Sequence, residues 1–110
     1  MLPIKHRLKK KKDFERVFKQ GKNIKNKLFF LKFLLTQNNY SRIGIVVSKK
    51  ISKQAVKRNK IKRQLRAVAK KEIKNLSSIM DIIIIALPPI QKACYQEIEQ
   101  SISQAFKNII

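Results

Sequence analysis

The stretch DIIIIAL (81–87) constrains the fold more than any other part of the chain. Four consecutive Ile residues leave no polar position on either side, and β-branched residues favour extended backbone, so this run is a strand buried on both faces. The prolines of ALPP end it, because proline cannot donate to a ladder. Such a strand needs a sheet with helices packed on it. The segment DFERVFKQ (13–20) reads as a short helix, with Asp13 as N-cap and Gly21 as its stop. LFFLKFLL (28–35) is a strongly apolar strand, QNNYS (37–41) a turn by composition, and RIGIVVS (42–48) a second strand, antiparallel to the first if that turn closes a hairpin. A helix follows over roughly 54–75. From 95 to 109, Tyr95, Ile98, Ile102, Ala105, Phe106 and Ile109 recur at helical spacing, and Cys94, a poor N-cap, stands ahead of Glu97 where Ser or Thr would be expected. The order is α-β-β-α-β-α, with the middle β region open to division into two strands, and the class is α+β. At 110 residues, without repeats or linkers, the chain reads as one domain over 1–110, with 1–10 as a candidate flexible N-terminus.

Charge narrows the function. The first 71 residues hold 24 of the 27 Lys and Arg against only Asp13 and Glu15, whereas residues 72–110 hold three Lys against four acids. No carboxylate occurs from Arg16 through Lys71. A membrane surface or an acidic protein would attract such a half, but nucleic acid is the partner its density favours. Because 21 of the cations are Lys in an Ile- and Asn-rich chain, AT-biased coding accounts for part of the excess, and the six Arg carry more weight. No apolar run is long enough to span a bilayer, and MLPIKHRLKKKKDF lacks the apolar stretch of a secretory signal. The single cysteine, Cys94, allows neither an internal disulfide nor a cysteine zinc site, and a cytoplasmic location fits.

The basic stretch AVKRNKIKRQLR (55–66) gains its meaning on a helix. At about 100° per residue, Ile61, Leu65, Val68 and Ala69 fall in one arc that must face the sheet. Lys62, Arg63, Arg66, Lys70 and Lys74 fan across an adjoining arc, with Arg58 at its edge and Asn59 in its middle. Asn59 brings both donors and an acceptor, which suit a ribose hydroxyl or a base edge. A solvated helix face is the plain alternative. Against it, no acid is available for i,i+4 neutralisation before Glu72, so the face repels itself unless a polyanion screens it.

SKK (48–50) followed by RNKIKRQLR (58–66) resembles the signature of the bacterial ribonuclease P protein subunit. RLKKKKDFERVFKQGK (7–22) is similar to that family's opening helix, RIGIVVSKK (42–50) to its strand, and DIIIIAL with YQEIEQSI (95–102) to its closing strand and helix. The resemblance covers nearly the whole chain. It implies a small two-layer α/β sandwich with a mostly antiparallel sheet and a left-handed βαβ crossover, contrary to the general rule of handedness. It also implies a role in removing the 5′ leader from precursor tRNA, with catalysis by a large partner RNA that requires Mg²⁺, greater activity at low Mg²⁺, and a broader substrate range. No cofactor or metal bound by the protein, no membrane and no protein partner is implied.

The resemblance assigns two surfaces. Arg58, Asn59, Lys60, Lys62, Arg63 and Arg66 are implied to contact the catalytic RNA. Lys60 stands where the family usually has Arg, which replaces a planar fork by a point charge. A cleft between the first helix and the sheet is implied to receive the leader. Phe14 and Phe18, an i,i+4 pair whose plain reading is core, are implied to contribute at least one ring to it. Alternation along 28–35 puts Phe30 and Lys32 on the wetter face, and Ser48, Lys49 and Lys50 complete the candidate cleft. Lys32 occupies a position where the family often has an aromatic, and Val46 one where a polar residue is common.

A protein nuclease would need paired carboxylates or a His acid/base pair. This chain has one histidine, His6, and the pairs Asp13/Glu15 and Glu97/Glu99 diverge on a helix. A binding role is therefore expected. Three competing readings remain at this point: a ribosomal or RNA-chaperone protein, a DNA-binding protein using helix 54–75, and a stand-alone nuclease.

Overall fold

A computed structural model of the chain describes residues 6–37, 39–76 and 78–109. Its helices are α1 (Lys11–Gln20), α2 (Ala55–Glu72) and α3 (Tyr95–Ile109), and its strands are β1 (Lys22–Lys25), β2 (Phe29–Leu35), β3 (Arg42–Val46) and β4 (Met80–Ala86). Short 3-10 turns follow α2 at Ile73–Asn75 and β4 at Pro88–Lys92. The α+β class and the mostly antiparallel sheet expected from the sequence are present. The additional strand is β1, which forms an antiparallel hairpin with β2 and does not arise from a split of the later region.

The strand order is β1-β2-β4-β3. This corrects the expected hairpin between β2 and β3. The two run in opposite directions, but β4 lies between them, antiparallel to β2 and parallel to β3. The physical reason is the Ile run itself. Ile82, Ile83 and Ile84 have no exposed surface, and only an interior position gives that strand ladder partners on both edges. At the start of β4, Thr36 N–H donates to the Ile79 carbonyl (3.2 Å) and Met80 N–H to the buried Ser41 Oγ (3.0 Å).

The register separates two cores. One face carries Phe29, Leu31, Ile43, Ile82 and Ile84 against Ile61, Leu65, Val68 and Ala69 of α2 and Ile98, Ile102, Ala105 and Phe106 of α3. The predicted apolar arc of α2 is therefore the buried one. The opposite face carries a smaller cluster of Leu8, Val17 of α1 and Ile83, with Phe14, Leu34, Val46 and Ile85 partly buried against it. Thus α2 and α3 form one layer with the sheet, and α1 partly covers the other side.

Two local expectations change. Helix α1 starts at Lys11 with Lys10 in the N-cap position and no side-chain cap; Asp13 sits in the first turn, its carboxylate drawn to Arg42 Nη1 (3.0 Å). Gly21 does follow the helix, at an ordinary negative φ. Glycine is required there by close approach, since a Cβ would lie 2.5 Å from the Val17 carbonyl oxygen and 2.9 Å from that of Phe33. Of the N-terminus expected to be flexible, residues 1–5 lie outside the described residues, and 6–8 are anchored. Leu8 is buried and its N–H donates to the Ile43 carbonyl (2.9 Å). Arg7 bridges Ile43 in parallel, and His6 Nδ1 lies 2.7 Å from the Ser41 carbonyl oxygen. This short addition protects the outer edge of β3.

Candidate nucleic-acid interface

On the face that carries α1, the side chains form rows across the sheet. Leu34, Asp81 and Arg42 form one row, Lys32, Ile83 and Gly44 the next, and Phe30, Ile85 and Val46 the third. The first two lie under α1. The ring of Phe14 occupies the space over Gly44, where a Cβ would come within 2.5 Å of Phe14 Cζ. In the third row, Phe30, Ile85 and Val46 are only half-buried, so an apolar strip remains open beside the helix.

Three of the candidate cleft residues meet at its margin. Phe18 is 41% exposed. Lys32 Nζ lies 5.4 Å from the centroid of the Phe18 ring and 5.8 Å from that of Phe30. The same ammonium donates to the Phe18 carbonyl (3.1 Å). A cation between two aromatic faces, next to a half-covered apolar strip, offers stacking and phosphate neutralisation within one site. Phe14, by contrast, belongs to the small core. Ser48, Lys49 and Lys50 lie exposed beyond the end of β3, in a turn closed by Ile51 N–H on the Ser48 carbonyl (3.1 Å) and Lys50 N–H on Ser48 Oγ (3.3 Å).

The basic helix presents two flanks. Arg58, Asn59, Lys62, Arg63 and Arg66 occupy one, adjoining the buried arc. Arg58 Nη1 donates to the Ser52 carbonyl (2.9 Å), which ties the helix to the preceding loop. Among the described residues, none of the ion pairs engages Arg58, Lys60, Lys62, Arg63 or Arg66. The first turn of α2 contains no acid, so the helix dipole and Lys57 both make that end electropositive. Lys60 stands apart. It lies on the other flank, in a furrow shared with Lys57, Gln64 and Lys92.

An ion network missed in the sequence lies beneath α1. Arg42 Nε and Nη2 donate to the two carboxylate oxygens of fully buried Asp81 (2.9 and 2.8 Å), and Arg42 Nη1 reaches Asp13. Arg16 extends to Asp13 at 3.3 Å and to Asp81 at 3.5 Å. Hydrogen bonding to Asp81 is the main cause that holds the Arg42 pKa above its ordinary value. Apart from the i,i+3 pair Arg16–Asp13, these partners are 29 to 65 positions apart, and no local pattern could have paired them. Among the described residues, no three His, Cys, Asp or Glu side chains converge to hold a metal ion, and Asp13 and Asp81 are already engaged by guanidinium groups. No described helix is long and apolar enough to cross a membrane.

The mixed sheet, the unpaired cationic flank and the half-open apolar strip define a small, strongly basic α+β protein shaped to lie against a polyanion. Residues 2–110 match the family described as Ribonuclease P. The chain is 40% identical to the ribonuclease P protein component of a Pseudanabaena species, over all of this chain and 92% of that one. It is 39% identical to that of Bacillus cereus, over 94% and 90% of the two chains. Among solved structures, the Staphylococcus aureus RNase P protein superposes with a TM-score of 0.85 at 35% identity, covering 94% of each chain. The Thermotoga maritima RNase P protein gives 0.85 at 29% identity, over 94% and 97%. The chain belongs to the bacterial ribonuclease P protein family.

Proposed function

We propose that this chain is the protein component of ribonuclease P, binding a catalytic RNA through α2 and the 5′ leader of precursor tRNA through the cleft beside α1. The observation that carries this reading is the Phe18–Lys32–Phe30 group at the edge of the open strip, on the face of the sheet away from α2. Two surfaces on opposite sides of one small domain suit a bridge between two RNAs. On this reading Arg58, Asn59, Lys60, Lys62, Arg63 and Arg66 neutralise phosphates of the catalytic RNA. Phe18 and Phe30 stack on leader bases, and Lys32, Ser48, Lys49 and Lys50 contact the leader backbone. Phe14 supports the cleft from beneath.

The RNA carries out the endonucleolytic hydrolysis with its own Mg²⁺, in the cytoplasm, and the protein contributes no ligand to that metal. The positive field of the protein reduces repulsion between the two RNAs, which supports activity at low Mg²⁺ and a broader substrate range. The testing experiment is reconstitution of the purified chain with its cognate catalytic RNA and precursor tRNA at low Mg²⁺. Enhanced leader cleavage is expected, with no cleavage by the protein alone. A ribosomal-type or chaperone protein would bind both RNAs without favouring leader-bearing substrate, and that result would overturn the reading.

A further inference from the structure

The furrow on the second flank of α2 has a built form. Lys57, Lys60 and Gln64 line one side, Lys92 from the 3-10 turn Pro88–Lys92 lies across from them, and Ile61 and Ile90 contribute to the floor. Ile61 and Ile90 are both buried, so the floor is rigid. The far wall is fixed too, because the Gln91 side-chain amide donates to the Ile51 carbonyl and ties the 3-10 turn to the loop ahead of α2. Among the described residues, no acid lines this furrow and none of the ion pairs engages Lys57, Lys60 or Lys92. Three ammonium groups held around one concavity repel one another in water. An anionic backbone lying between them removes that repulsion and releases counterions.

We infer that this furrow is a second phosphate-binding track for the catalytic RNA, with Lys57 and Lys60 on one side of the strand and Lys92 on the other. It rests on the reading of α2 as the face for that RNA, and it extends the contact to the opposite flank of the helix. The furrow is assigned to the catalytic RNA and not to the leader because α2 packs on the sheet face opposite the Phe18–Lys32–Phe30 group. The floor is apolar and the walls carry flexible ammonium groups, so the track follows a backbone without demanding one base sequence. It also gives Lys60 a reason to be lysine. In a furrow flanked by cations, a point charge that follows a phosphate needs no planar fork.

The test is the salt dependence of catalytic-RNA affinity for the full chain and for three variants, Lys57→Gln/Lys92→Gln, Arg66→Ala and Lys107→Gln. The double variant is expected to weaken binding and to reduce the slope of log affinity against log salt by about 1 for each cation removed. Lys107, in the last turn of α3, controls for loss of charge alone and should leave the slope almost unchanged. An unchanged slope for the double variant, with Arg66→Ala still impaired, overturns the furrow while leaving the proposed function intact. A fall as large for Lys107→Gln as for each furrow lysine also overturns it, by showing a diffuse field. Failure of the unmodified chain to bind the RNA would instead overturn the underlying reading. Circular dichroism of each variant confirms folding, since Lys57 and Lys92 are exposed.

Discussion

Arg42 holds both carboxylate oxygens of Asp81, at 2.9 and 2.8 Å, and this pair fixes the parallel contact between β3 and β4 from beneath α1. The same guanidinium reaches Asp13 on the helix, so one side chain locks two strands and a helix together. Removing it leaves a fully buried carboxylate without its main partner. Arg42→Ala should therefore cost about 3–5 kcal/mol of unfolding free energy, measured by urea denaturation. Arg16→Ala is expected to cost about 0–1 kcal/mol, because its side chain is 44% exposed and its bonds are longer. The Arg42 pKa is raised on folding, so its stabilisation is fully present through neutral pH and is lost only in strong alkali.

Phe18→Ala should leave the fold nearly intact. Its ring contributes a surface cation–π contact of about 0.5–1 kcal/mol and no core packing. The expected loss is in discrimination between precursor and mature tRNA by the reconstituted complex, by about 1–3 kcal/mol if one base stacks on the ring. Arg66→Ala should weaken assembly with the catalytic RNA and leave that discrimination unchanged. Equal effects of both variants on both measurements would disprove the two-surface arrangement.

Gly21→Ala is expected to destabilise by about 1–3 kcal/mol through overpacking. Both atoms that its Cβ would meet most closely are backbone carbonyl oxygens, of Val17 and Phe33, and neither can rotate away. Gly44→Ala should act differently. Its nearest neighbour is the ring tip of Phe14, so the substitution displaces a side chain beneath the cleft and should alter leader binding as well as the melting temperature.

Leu8→Ala should cost about 2–5 kcal/mol, as for any buried leucine, although Leu8 lies in a run of cations. Thermal unfolding checks this. A change near zero would mean that residues 6–8 do not hold the edge of β3.

Much of the architecture was legible because it depends on local period. Ile61, Leu65, Val68 and Ala69 mark the buried side of α2, the spacing from Tyr95 to Ile109 marks α3, and the Ile run marks β4. What local period cannot give is partnership across the chain. The turn composition of residues 37–41 favoured a hairpin, yet β4 enters between β2 and β3 from almost forty positions away. Strand β1, KNIK, carries a single apolar residue and is mostly exposed, so it gave no strand signal. Phe30 and Lys32 were placed on one face by alternation and Phe18 by the family resemblance, but their convergence required the register of β2 beneath α1. The furrow was hidden because Lys92 follows two prolines, in a segment that reads only as the end of a strand.

The interior position of β4 also sets when this domain can fold. It is the last strand to be synthesised and the one that joins β2 to β3, so the sheet has no centre until residues 80–86 have emerged. Helix α3, which supplies Ile98, Ile102 and Phe106 to the main core, follows later still. Before β4 emerges, 25 of the 27 cations have already left the ribosome on a segment whose contacts with β4 are not yet made. Long-range pairing of this kind slows folding and prevents the N-terminal half from settling first. The most basic part of the chain is thus the part that waits longest for its structure.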